Sequence, residues 1–371
     1  MKRLFPFTLF ILLAACTSFL TTPTAFPFPS LPPRTVTPTA IIPTPLPTST
    51  ATPVQSAVLS AENIQNLRAW VRISNPYTRS LAFSPDSMQL AAASGNKGDG
   101  FFLGTVWKPA DGGMAASLEG FTGTVWDLAY SPNGRRIASV ADSIFLERGR
   151  IHDAQTGIGQ LVVSGSGQAY SVAYSPDGSQ LAIGGIDGSL NGRIWIYDAL
   201  TAGLIRELKA SSQNVLDLVY TADGSQLIST GTDGLIRRWD ARDGRLLGTL
   251  REKIQANRIA LSPDGTLLAS IYCEKSGPSG CDKGGVSVWR LPEGTRVMSF
   301  TDLAEAVAFS ADGGMLAVGS GASTPRIRIR DTAAWATLWD AGVEAANLAF
   351  SLDGRWLATA NMSDITIWSV P

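Results

Sequence analysis

Short runs of alternating hydrophobic and polar residues, broken by tight polar turns, fill most of this chain. The stretch SVAYSPDGSQLAIGG at 171–185 shows the unit. Its flanks alternate as half-buried strands do. Between them Ser175-Pro176-Asp177-Gly178 carries turn chemistry: proline presets φ, aspartate bonds nearby backbone, and glycine accepts a positive φ. The unit returns as LAFSPDSMQLAAA from Leu81, LAYSPNGRRIASV from Leu128 and LVYTADGSQLIST from Leu218. IALSPDGTLLASI from Ile259, VAFSADGGMLAVG from Val307 and LAFSLDGRWLATA from Leu348 complete the series. The turn Asp or Asn falls at positions 86, 133, 177, 223, 264, 312 and 353, in steps of 47, 44, 46, 41, 48 and 41 residues.

A third strand follows each hairpin, often ending in an aromatic and an acid, as in GRIWIYD to Asp198 and GLIRRWD to Asp240. Others end at Trp107, Trp289 and Trp368, and after a short turn such as ARDG comes a fourth strand, RLLGTL. Four short strands repeated every forty-odd residues predict an all-β, seven-bladed β-propeller. The five tryptophans at 107, 195, 239, 289 and 368 all fall on third strands, where interblade packing is expected.

From 64 to 371 the chain resembles the WD40 repeat family, most closely over VLDLVYTADGSQLISTGTDGLIRRWDARDGRLLGTL at 215–250. LEGFTGTVWDLAYSPNG resembles the segment that normally carries a Gly-His pair, with Phe121 at the histidine. RIHDAQTG places His152 where the family has its tryptophan, while Asp187 and Asp233 match its turn aspartate. The family's His-Ser-Asp-Trp network is therefore incomplete in every blade. The last repeat stops after its third strand, and the segment at 63–73 belongs to no blade of its own. The resemblance implies that this segment supplies the fourth strand of blade seven and closes the ring, removing an exposed edge.

The first residues have another character. Lys2-Arg3 precede an apolar run from Leu4 to Ala15, too short to span a bilayer but suited to a secretory signal. The run ends Leu13-Ala14-Ala15-Cys16, which resembles the bacterial lipoprotein signal, so Cys16 is expected to be acylated and to become the new N-terminus. One acyl chain holds a membrane marginally and two hold it stably. Residues 17–54 contain 10 prolines, 11 threonines and one charge, Arg34. Such a segment favours extended polyproline II and could reach on the order of 100 Å. The expected organisation is a signal peptide at 1–15, a lipidated cysteine and stalk at 16–58, and a propeller at 59–371.

Net charge is -1, which argues against nucleic acid, since its binders carry a basic footprint. The single histidine sits mid-strand, so nothing supports a Ser-His-Asp or Cys-His device. No metal-ligating cluster or cofactor motif is seen, and no catalytic residue is assigned. Cys273 and Cys281 flank a Gly/Pro-rich loop between the second and third strands of blade five, and a disulfide between them is expected in an exported protein. Arg326, Arg328 and Arg330 share one strand face, either solvated and salt-bridged or lining an anion groove.

Loop lengths point to one face. The turns between first and second strands keep one length, whereas the second-to-third connections vary widely. Function on rigid scaffolds gathers on such variable loops. In the WD40 arrangement these lie on the top face, which makes Phe101, Phe102, Phe121, Phe145 and Tyr272 candidate partner anchors. The expected protein is a monomeric, membrane-anchored lipoprotein outside the cytoplasm, scaffolding an unknown protein partner without catalysis. A small-molecule or glycan module in the channel is the alternative. A propeller enzyme is the third reading, weakened by the shortage of suitable residues.

Overall fold

The computed structural model describes residues 56–95, 104–121, 123–141, 147–252, 255–277, 280–321 and 323–371. Cys16, stalk residues 17–55, Phe101, Phe102 and Phe145 lie outside them. Seven four-stranded antiparallel sheets form a ring. The innermost strands are Thr78–Phe83, Val125–Tyr130, Gln168–Tyr174, Val215–Tyr220, Gln255–Leu261, Ala306–Phe309 and Asn347–Phe350. Each neighbours the next, and the last neighbours the first. We number the blades one to seven in that order.

The repeated hairpin has one hydrogen-bond pattern throughout. In every blade a Ser or Thr hydroxyl donates to the turn Asp or Asn two residues on, at 2.5–2.8 Å. The same hydroxyl accepts the backbone N–H five residues on. Glycine supplies the positive φ in six turns, and Ser87 (φ 61°) in the first. Ser87 Oγ accepts the N–H of Asp353, tying the turns of blades one and seven together.

Seven hydrophobic clusters fill the seven gaps between blades, so the core is a circle of interfaces. Trp195, Trp239, Trp289 and Trp368 are buried in them and Trp107 is half-buried. The outer strand of blade seven is Arg68–Ser74, paired antiparallel with Asp364–Ser369 from Arg68↔Ser369 to Ser74↔Asp364. The first and last strands of the described residues thus share one sheet. Before that strand, Leu59 N–H bonds the Gly354 carbonyl in the first hairpin turn of blade seven.

The blades are locked differently. The Trp239 and Trp368 indoles donate to Ser229 and Thr359 on the neighbouring strand. In blade two His152, fully buried, meets Ser139 Oγ through Nε2 at 3.0 Å. Blade five uses Glu252, 2% exposed, which accepts from Ser270, Ser287 and the Trp289 indole. Arg148 lies over Trp195, 3.7 Å from its ring centre, and donates to the Tyr197 hydroxyl at 2.6 Å. In blade six Arg330 stands at the tryptophan position, packed on Phe300 and paired with Asp302. Arg326 and Arg328 pair with Asp340, and Arg328 also with Asp302. The arginine row is therefore a salt-bridged face, its three guanidinium groups sharing Asp302 and Asp340.

Candidate binding site at the channel mouth

Because the strands of each blade alternate in direction, the two hairpin turns of a blade share one end. The second-to-third connections and the links between blades share the other, the top. At that end the innermost strands of blades one to five each break register once. The breaks fall between Thr78 and Ser80, Val125 and Asp127, Ala169 and Ser171, Val215 and Asp217, and Ala256 and Arg258. Each is a β-bulge, which inserts one residue and re-aims its side chain. The inserted residues are Arg79, Trp126, Tyr170, Leu216 and Asn257; in blades six and seven Glu305 and Ala346 hold the matching positions. All seven line a cavity of about 860 Å³ at the channel mouth.

One position further along lies a polar belt. Asp127 accepts from Ser80 Oγ (2.7 Å), the Leu128 N–H (2.9 Å) and the Val172 N–H of the next blade (2.9 Å). Asp217 repeats this with Ser171 Oγ, Leu218 N–H and Ile259 N–H. Each aspartate so stitches its blade to both neighbours. Burial pushes Asp127 up, against these bonds and Arg258; burial, then Asp127, push Asp217 up to about 6. Asn347 Nδ2 donates to the Thr78 carbonyl between blades seven and one.

Aromatic rings stand above the belt. Trp126 and Tyr170 meet edge to face, centres 5.9 Å apart, and Arg79 extends over Trp126 at 5.0 Å. Blade five extends as a ribbon, its second and third strands running Leu267–Gly277 and Gly280–Arg290. The expected loop is thus largely paired strand. Cys273 and Cys281 are joined by a disulfide across it, Cα atoms 5.7 Å apart. Cys281 and Asp282 reach the mouth.

Two of the sequence-predicted anchors fall on described residues, and both turn inward. Tyr272 is 3% exposed within blade five, and half-buried Phe121 packs on His152, ring centres 5.2 Å apart. The bulge residues escaped the sequence reading. Their signal was available: they occupy the column two places before the conserved-length hairpin motif, and that column differs in every repeat. For catalysis the geometry offers little. Burial pushes His152 down to about 4, leaving a neutral packed ring. Among the described residues no three His, Cys, Asp or Glu side chains gather to hold a metal.

Residues 112–145, 158–198 and 203–240 match the family model of the WD domain, G-beta repeat. The chain is also similar to WD repeat-containing protein slr1409 of Synechocystis sp., 38% identical over 90 residues, which is 24% of each chain. The match thus spans about a quarter of that curated relative's length.

Proposed function

We propose that the chain is a non-catalytic scaffold, held outside the cytoplasm by lipid on Cys16, whose channel mouth captures a protein partner. One observation carries the binding reading: seven turns at one end share a single hydrogen-bond pattern, while seven equivalent positions at the other carry seven different residues. Uniformity serves the ring; variety at an open, aromatic-lined mouth serves recognition. WD40 propellers generally bind protein partners, which supports the scaffold reading. The anchor rests on the signal sequence alone.

Purification from native membranes tests both parts. Trp126→Ala with Tyr170→Ala should lose partners that wild type and an Asp243→Ser turn variant retain. Capture lost only in the turn variant would reverse the faces. Cys16→Ser should move the protein out of the membrane fraction; retention there, with no lipid found on wild type by mass spectrometry, would refute the tether. The alternative, a small molecule or glycan in the channel, is favoured by the cavity's volume of about 860 Å³, which lies within the usual range of ligand pockets.

A further inference from the structure

The mouth has two unlike halves. Arg79, Trp126 and Tyr170 are the inserted residues of three consecutive blades, one, two and three. Asp282 and Glu305, its exposed acids, stand on blades five and six, across the ring. On the first half the contacts run without a gap. Arg79 lies over the Trp126 ring at 5.0 Å, and Trp126 meets Tyr170 edge to face at 5.9 Å. Trp126 packs on the apolar cluster between blades two and three, and the Tyr170 hydroxyl donates to Gln168 Oε1 at 2.5 Å. Both rings are thus held in place before any ligand arrives.

The charges of this half do not cancel. Asp127, one residue on from Trp126, is spent on Ser80, Leu128 and Val172. Its counter-charge is Arg258, which reaches from blade five to the Arg79 carbonyl, donating through Nη2 at 2.9 Å. The same guanidinium is the counter-charge of Asp217 and Glu305. Arg79 offsets none of these carboxylates. It is exposed, and among the described residues its guanidinium has no hydrogen bond or ion pair. A guanidinium engaged through its face keeps its planar N–H fork, which fits a carboxylate through two hydrogen bonds. Arg, Trp and Tyr are also the side chains that most often anchor protein interfaces.

We infer that this half of the mouth binds an acidic side chain of the protein partner, its carboxylate on Arg79 and an adjoining apolar residue on Trp126 and Tyr170. The inference rests on the scaffold reading and gives the partner its chemistry, an Asp or Glu beside an apolar residue.

Calorimetric titration of the purified full-length chain with a short peptide tests the site without any partner. N-acetyl-Leu-Glu-Leu amide should bind, and its Gln and Lys versions at least about tenfold more weakly, the loss of a hydrogen bond to a charged group. Arg79→Gln, an exposed change expected to melt with wild type, should weaken the Glu peptide by the same factor. Arg79→Lys keeps the charge but not the fork and should fall between. Added salt should weaken binding too. Equal affinity for the Gln peptide, tighter binding of the Lys peptide or an unchanged Arg79→Gln would overturn the inference. So would glucuronate binding tighter than the Glu peptide, or no binding at about 10 mM. A Glu peptide that binds through Arg79 while partner capture survives Trp126→Ala with Tyr170→Ala would uphold the carboxylate site and overturn the scaffold reading alone.

Discussion

Removing the Glu252 side chain should cost more than any exposed change on this ring. Its carboxylate is 2% exposed and bonded to Ser270, Ser287 and the Trp289 indole. Hydrogen bonds to a buried charge contribute about 1.5–3 kcal/mol each, and losing the ion also relieves its desolvation. In Glu252→Ala, Trp289 keeps Ser270 as an acceptor at 3.0 Å, so the whole sum is not lost. We expect a net cost of about 3 kcal/mol, part of it the cavity left behind. At about 2.1 cal/mol/K per residue, a domain this size should melt about 4–5 °C lower. Glu252→Gln keeps the volume and one acceptor, and Ser287 can rotate its hydroxyl to accept from the new amide, so the cost should be about 1 kcal/mol.

The pH dependence gives the sharper test. Burial pushes Glu252 up, against its three hydrogen bonds and Arg296. A carboxyl raised on folding holds its proton more tightly folded than unfolded. The stability it contributes is present at and below its ordinary value of 4.5 and is lost as pH rises through the folded value. Glutamine has no such dependence. Scanning calorimetry should therefore find wild type's advantage over Glu252→Gln largest near pH 4 and smaller at pH 8. An advantage that grows with pH, or an alanine variant melting with the glutamine one, would refute this account of the lock.

Three further outcomes are expected. Gly165→Ala should lower Tm by several degrees, since Gly165 has φ 154° and a Cβ would lie 1.7 Å from Arg148 Nη1; an unchanged Tm would mean Arg148 moves freely off Trp195. Asp177→Asn should barely change Tm at neutral pH, because Asn133 makes the same turn in blade two. Hydroxyl and amide donors hold Asp177 below its ordinary 3.8, a contribution lost as pH falls, so the variant should lose less Tm between pH 4 and pH 2 than wild type does. Cys281→Ser opens a closed segment of sequence separation 8, about 2.5 kcal/mol in the chain-entropy model, and should speed amide exchange at 273–283.

The hairpins were legible because their turn is local: hydroxyl, aspartate and glycine lie within four residues and meet without help from the rest of the chain. The ribbon of blade five was not. Gly, Pro, Ser and Cys around 273–285 have poor strand propensity, and ladder pairing with the disulfide overrides it. The locks were hidden for another reason. Glu252, Arg148 and Arg330 are charged, and charge reads as surface unless the buried partner is known. The mouth was obscured by the bulges themselves. One inserted residue shifts the alternation, so period-two counting cannot tell whether Trp126 or Asp127 faces the channel.

The same geometry explains why the two kinds of variation can coexist. Each blade gap has its own apolar cluster, so the polar lock beside it can be indole, imidazole, carboxylate or guanidinium without disturbing the next gap. Of the bulge residues Trp126 packs against the cluster between blades two and three, whereas Leu216 and Asn257 stand at the mouth, outside the ladder. A change there leaves both the clusters and the aspartate stitches in place. Leu216 could become polar at little cost to the ring, whereas Asp217, one residue on, holds the backbone of the next blade. Recognition and stability thus rest on adjacent positions of one strand, and a substitution series along 216–217 should separate them: Leu216→Ser altering binding at constant Tm, Asp217→Ala lowering Tm.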